Sequence, residues 1–252
     1  QMYYDRALGL AGRLLKLQRE DGSYPIKIDF NTGEPVNEVG AMLHPLLNYI
    51  LRLHNQYGLT KYDVITEKGE KWMDEIAVET FNMTGQFEDV NVMGLEPYEN
   101  LTNCTAAPYA SYLLNKETVS EKDLNNAIDL IRLSEDQFTF WDTTPNEYGL
   151  RMMATPCVFE QYKYQKPVDH SAHNVAMAFL DLYEETGDRL AFAKAKALID
   201  NMTIVQNKGN GQMPTTWDFR TPYHDSNRSF WTNCTFAAVT ALLRMDKITS
   251  EE

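Results

Sequence analysis

Two stretches of the chain are written in nearly the same letters. LTNCTAAPYASYLLN (101–115) and FWTNCTFAAVTALLRM (230–245) both read Thr-Asn-Cys-Thr, then small residues, then a leucine ten residues past the Asn, Leu113 and Leu243. The Asn positions lie 233 − 103 = 130 residues apart, which is two steps of about 65. A period of that length constrains the fold more than any single motif, because each copy has to be one supersecondary unit stacked on the next. Stepping by the same interval finds PVNEVGAMLHPLLNYIL from Pro35 and PVDHSAHNVAMAFLDLY from Pro167. Each copy carries a residue able to cap a helix (Asn37, Thr102, Asp169, Thr232), then small residues, then an apolar run at helical spacing. Between the copies lie Tyr3–Arg19, Asp63–Phe81, Glu121–Phe138 and Arg189–Gln206, whose apolar residues fall three and four apart, as in Leu124, Ala127, Ile128 and Ile131. The pattern predicts an all-α chain of about four antiparallel helical hairpins, with no alternating strand pattern of any length.

Composition narrows the function classes. A length of 252 residues, 43% hydrophobic and without a low-complexity tract, predicts one domain over 1–252. A formal net charge of −13 argues against nucleic acid, where basic side chains must neutralise phosphates. No apolar run reaches the roughly 18–20 residues of a membrane span. The start Gln1-Met2-Tyr3 has neither initiator Met nor signal peptide, so processing or truncation of a longer precursor is expected. On that expectation the chain would be the C-terminal part of a larger protein, with upstream hairpins or a domain as its partner, and a secreted or periplasmic setting is preferred to a cytoplasmic one. Cys104, Cys157 and Cys234 form no CxxC pair and no metal spacing; at the helix starts Cys104 and Cys234 read as small buried residues. Six Asn-x-Ser/Thr sequons occur, at Asn82, Asn100, Asn103, Asn201, Asn227 and Asn233, and those at Asn103 and Asn233 are already explained as helix-start positions.

Alternate connections of a helical-hairpin array lie at opposite ends, and the two sets differ sharply here. Residues 56–60, 115–118 and 185–188 are ordinary short joints. Residues 20–38, 85–100, 138–170 and 209–231 are long and rich in aromatic and charged side chains, and loops of that length tend to carry function. The long-loop end is therefore the expected site.

At this point a family resemblance emerges. LLKLQREDGSYP (14–25) and VAMAFLDLYEETGDRLAFAKAKALID (175–200) resemble the six-hairpin glycosidases and related (α/α) toroid enzymes. The resemblance implies a toroid, or an open arc where only four hairpins are present, and carbohydrate chemistry at acidic residues on its rim. Glycoside hydrolysis takes two carboxyl groups about 5–9.5 Å apart, one protonating the leaving oxygen and one attacking or activating water. The carboxylates expected in that role are Asp142, Glu160, Asp169 and Asp218. Trp141, Trp217, Tyr24, His170 and His173 are the expected substrate-binding residues. Glu38, Glu88, Asp89 and Asp225, with Tyr148 and Trp231, are further carboxylates and rings of these loops. Each residue also has a plain structural alternative. Trp141 and Trp217 are lids over the core, Asp169 is a helix N-cap, and the cluster Asp169-His170-Ser171-Ala172-His173 is a packed helix start too compact to signal a metal.

The expected activity is thus glycoside hydrolysis on an oligo- or polysaccharide, ahead of elimination, with no metal and no cofactor. The alternative is a non-catalytic carbohydrate-binding or packing module. A terpenoid-cyclase reading, prompted by Gln18, Gly22 and Tyr24, fails because the chain contains no Asp-Asp pair. Neither GxGxxG nor GxxxxGK[ST] occurs, so nucleotide loops are absent.

Overall fold

In the computed structural model the apolar periodicities become helices at nearly the expected bounds. The structure describes residues 1–36, 40–41, 44–80, 103–142, 155–161, 164–206, 209–216 and 231–251. Among these, eight α-helices alternate along the chain: α1 (Met2–Leu17), α2 (His44–Tyr57), α3 (Asp63–Trp72), α4 (Asn103–Leu114), α5 (Glu121–Phe138), α6 (Asp169–Thr186), α7 (Arg189–Val205) and α8 (Thr232–Glu251). A 3-10 turn, Thr60–Tyr62, precedes α3, and a π-helical stretch, Met73–Val78, continues it. The long connections are not wholly irregular, contrary to the expectation of no strands. They contain β1 (Tyr24–Pro25) paired with β2 (Gly40–Ala41), and a three-stranded sheet of β3 (Thr139–Phe140), β4 (Cys157–Gln161) and β5 (Tyr164–Pro167). These strands run two to five residues, too short for alternation to register in the letters.

The chain forms two compact units, Gln1–Thr105 and Ala106–Glu252. In the first, α2 packs on α3 around Leu47, Ile50, Leu53 and Ile65, all nearly solvent-free. The phrase Gln-Arg-Glu-Asp-Gly-Ser-Tyr after α1 has a concrete job here. The Gln18 amide donates to the carbonyls of Gly22 (3.1 Å) and Ile65 (2.9 Å), pinning the turn to α3. Gly22 sits at φ 94°, and a Cβ there would lie 2.0 Å from the Lys68 carbonyl oxygen, so only glycine fits. Tyr24 then enters the interior, 7% exposed.

In the second unit α6 is the central helix. Val175, Ala176, Ala178, Phe179 and Leu180 are all at most 2% exposed, and α5, α7 and α8 pack around it. Alanines let the neighbouring backbones approach, while each large apolar side chain buried contributes about 1.5–3 kcal/mol. The turn into α7 is closed by Gly187, left-handed at φ 74°, whose N–H donates to the Tyr183 carbonyl at 2.7 Å. Asp188 then caps α7 by accepting from the Leu190 N–H at 2.8 Å. The Thr-Gly-Asp phrase of the sequence is thus a C-cap and an N-cap in succession. At the start of α5, Ser120 and Asp123 form a reciprocal capping box.

Candidate active site

The N-terminus of α6 and the N-terminus of α8 meet across one short extended segment. Val168 bridges Thr216, the Asp169 N–H donates to the Thr215 carbonyl at 3.2 Å, and the Trp231 N–H donates to the Thr215 hydroxyl at 2.8 Å. The Met213 N–H donates to the Thr235 hydroxyl at 3.2 Å, a second stitch to the first turn of α8. The two Pro-Val/Thr-Asn helix starts of this unit thus lie at the same end, as the repeat requires.

Asp169 occupies the first turn of α6 but is not its cap. Val168 takes the capping position with no side-chain bond. The carboxylate is 1% exposed and both its oxygens lack a hydrogen-bond partner among the described residues. The N-cap alternative therefore fails, because a capping carboxylate would accept from first-turn N–H groups. Two effects compete on its charge. The helix dipole favours the anion by about 0.3–1 kcal/mol, up to ~2 in partly buried geometry. Burying a carboxylate without partners costs several kcal/mol. Burial wins, and the Asp169 carboxyl is held well above the usual carboxylate range.

His170 and His173 follow on α6, with rings stacked at 6.0 Å between centroids and 21° between planes. Their Nδ1 atoms are buried without a partner among the described residues. Burial pushes both imidazoles below their usual value; His173 falls to about 4, with the His170 ring and the Arg244 charge adding to the effect. Both are neutral at neutral pH. Opposite them, Cys234 in the first turn of α8 is 1% exposed, and its thiol is pushed up to about 11. Desolvation is the main cause; the Asp169 and Glu160 charges also raise it, while hydrogen bonding from Thr215 and from the His170 backbone pulls the other way. Glu160, half-buried, stands on β4, which packs against α6.

The other expected residues distribute differently. Asp142 is exposed, two residues past the Phe140 that pairs with Cys157, whereas Glu160 lies at the opposite end of β4. Trp141 packs 6.1 Å from Phe179, with Lys194 5.7 Å above its ring and its Nε1–H donated to Glu135 at 3.1 Å. Phe179 lies ten residues along α6 from Asp169, a rise of about 15 Å. A cavity of about 430 Å³ lies on that far side, between α5, α6 and α7, lined by Ile131, Glu135, Phe179, Leu182, Leu190 and Lys194. Its Glu135–Lys194 ion pair, at 2.5 Å, is satisfied, whereas the first turn of α6 keeps buried polar atoms of Asp169, His170 and His173 without partners among the described residues. Tyr24 belongs to the first unit, where its hydroxyl is buried and its ionisation raised by desolvation. Trp217 and Asp218 lie outside the described residues, as do Glu38, Glu88, Asp89, Tyr148 and Asp225. Among the described residues no group of three or more His, Cys, Asp or Glu side chains is placed to hold a metal, and no helix is long and apolar enough to cross a membrane.

Two residues of the cluster were not singled out from the letters. Thr215 looks like any loop threonine, and nothing local marks it as the joint between α6 and α8. Cys234 did carry a signal, since its Thr-Asn-Cys-Thr phrase places it at a repeated helix start, but burial alone explained it.

No protein-family model matches the chain, and no curated protein sequence matches it. Among solved structures it is similar to the α-1,6-mannanase GH76A of Salegentibacter sp. HEL1_6, with TM-score 0.66, 16% identity, and coverage of 97% of this chain and 64% of that one. A second structure of that enzyme, an inactive variant with two consecutive aspartates changed to asparagine, in complex with α-1,6-mannotriose, matches with the same TM-score and coverage at 14% identity. The chain therefore spans just under two thirds of the length of the enzymes it matches. The likeness is one of fold: this chain is an all-α array that shares the helical fold of those structures.

Proposed function

We propose that the chain carries the site of a glycoside hydrolase, with Asp169 as general acid and Glu160 as the second carboxylate, acting on an α-linked mannan or its oligosaccharides. The observation that carries this reading is Asp169 itself: a carboxyl 1% exposed, without a partner among the described residues, at the long-connection end of the central helix. A group kept protonated by burial is what protonation of a leaving glycosidic oxygen at neutral pH demands. The neutral His170 and His173 supply hydrogen bonds to sugar hydroxyls rather than positive charge. The fold likeness to an α-1,6-mannanase supports the carbohydrate class and makes α-1,6-linked mannan the first substrate to try.

One specific observation favours the second reading, a carbohydrate-binding module without catalysis. The inactive neighbour differs by two consecutive aspartates, and this chain nowhere contains two in succession. The experiment that separates them is product analysis by mass spectrometry after incubation with α-1,6-mannan. Hydrolase function predicts oligosaccharide release by the wild type and a loss of about 10²–10⁴-fold in Asp169→Asn, with the fold intact. Binding of mannan with no product from the wild type selects the module, and neither binding nor product removes the carbohydrate reading.

A further inference from the structure

Three of the chain's four tryptophans are described, and they are treated in opposite ways. Trp72 is 8% exposed, and Trp141 is wedged between Phe179 and Lys194. Trp231 is 59% exposed, and no described ring or cation packs on its face. Here the backbone is fixed. Its N–H is held by the Thr215 hydroxyl at 2.8 Å, and its carbonyl accepts from the Cys234 N–H at 3.1 Å in the first turn of α8. Thr215 is 4% exposed, and its carbonyl accepts the Asp169 N–H, so one buried residue joins the backbone of Trp231 to the backbone of Asp169.

We propose that Trp231 is the stacking platform for a neutral hexopyranose ring at this site, with Thr215 as the residue that positions it; the proposal rests on the carbohydrate reading above. Pyranose rings present a face of C–H groups that desolvates well against an indole, while their hydroxyls project sideways to hydrogen-bonding groups. The arrangement supplies an open aromatic face on a held backbone, joined through Thr215 to the end of α6 where Asp169, His170 and His173 keep polar atoms without partners among the described residues. A neutral ligand also suits a chain of formal net charge −13, which disfavours acidic sugars. Trp231 sets affinity and register, and Asp169 acts on the bond.

Isothermal titration calorimetry with α-1,6-mannotriose, cellotriose and xylotriose as probes tests this on the whole chain. For whichever trisaccharide the wild type binds, Trp231→Ala should weaken binding roughly tenfold or more, the effect of losing about 1.4 kcal/mol of contact. Trp231→Phe should retain most of the affinity, and Thr215→Val, which keeps the shape and loses the hydroxyl, should fall between them. Near-ultraviolet circular dichroism checks that the variants remain folded. The wild type's tryptophan emission should also shift to the blue on saturation, and Trp231→Phe should abolish that shift. Unchanged affinity in folded Trp231→Ala overturns the platform while leaving the carbohydrate reading intact. Failure of the wild type to bind any of the three probes overturns both.

Discussion

The two ends of α6 are built on opposite principles. At its C-terminal end every polar group is accounted for: the Thr186 hydroxyl donates to the Leu182 carbonyl, Gly187 closes the helix in the left-handed conformation, and Asp188 opens the next one. Just inside that end, Arg244 of α8 bonds both Asp181 and Glu184, so that Asp181, only 4% exposed, has its counter-charge. At the N-terminal end Asp169 is equally buried and has none, and two imidazole nitrogens beside it are also without partners. Buried polar groups are normally hydrogen-bonded, and leaving one unpaired costs about 1–3 kcal/mol, more for a charge. One helix therefore carries a satisfied end that stabilises the unit and an unsatisfied end that weakens it. Stability surrendered at one end of a helix that is satisfied at the other is the observation on which the proposed site rests.

That contrast can be broken first at the satisfied end. Arg244→Met keeps much of the aliphatic stem but leaves Asp181 buried without its cation, so calorimetry should show a loss of about 3–5 kcal/mol. A loss below about 1 kcal/mol would mean that packing, not the pair, holds α8 to α6. Gly187→Ala forces a Cβ into the left-handed region; because no atom lies within 4 Å of that Cβ, only backbone strain is paid, and the expected loss is about 1 kcal/mol. At the other end the sign reverses. Asp169→Asn removes a carboxyl that has to take up a proton on folding from neutral solution, so the melting temperature at neutral pH should rise rather than fall.

The smallest effects are slopes with pH, and they separate the acid from its imidazole neighbours. Asp169 has a folded value raised above its usual 3.8, so its stabilising protonation is fully present below 3.8 and is lost as pH rises through the folded value. His173 goes from its usual 6.5 to about 4 in the folded chain, so its contribution is present above 6.5 and is lost as pH falls toward 4. Between those two values the slopes oppose one another in the wild type. Asp169→Asn should leave stability rising with pH over that interval, and His173→Gln should leave it falling. Melting temperatures measured across the interval check both, and parallel curves for the two variants would contradict the assignment.

Much of this architecture was legible in the letters because it follows from local rules. The helix bounds of α5 coincide with the expected Glu121–Phe138, since Ser120 and the apolar spacing specify them together. Gly58 and Gly187 both adopt the left-handed turns that the short joints demand. The chemistry of the site was less legible because it is decided by burial. In sequence Asp142 and Asp169 look alike, each a loop or helix-start aspartate. Only the packing of β4, the 213–216 segment and α8 over the start of α6 makes one carboxyl exposed and the other buried. Trp141 and Trp231 likewise differ in nothing local, yet one packs on Phe179 and the other stands open to solvent.

The central claim is that burial holds the Asp169 carboxyl well above the ordinary carboxylate range, and difference infrared spectroscopy of the wild type against Asp169→Asn reads it directly. The account predicts a protonated-carboxyl C=O band at neutral pH that is present in the wild type, absent from the variant, and lost only well above the ordinary carboxylate range. A carboxylate band in its place at neutral pH, titrating near the usual 3.8, would contradict it.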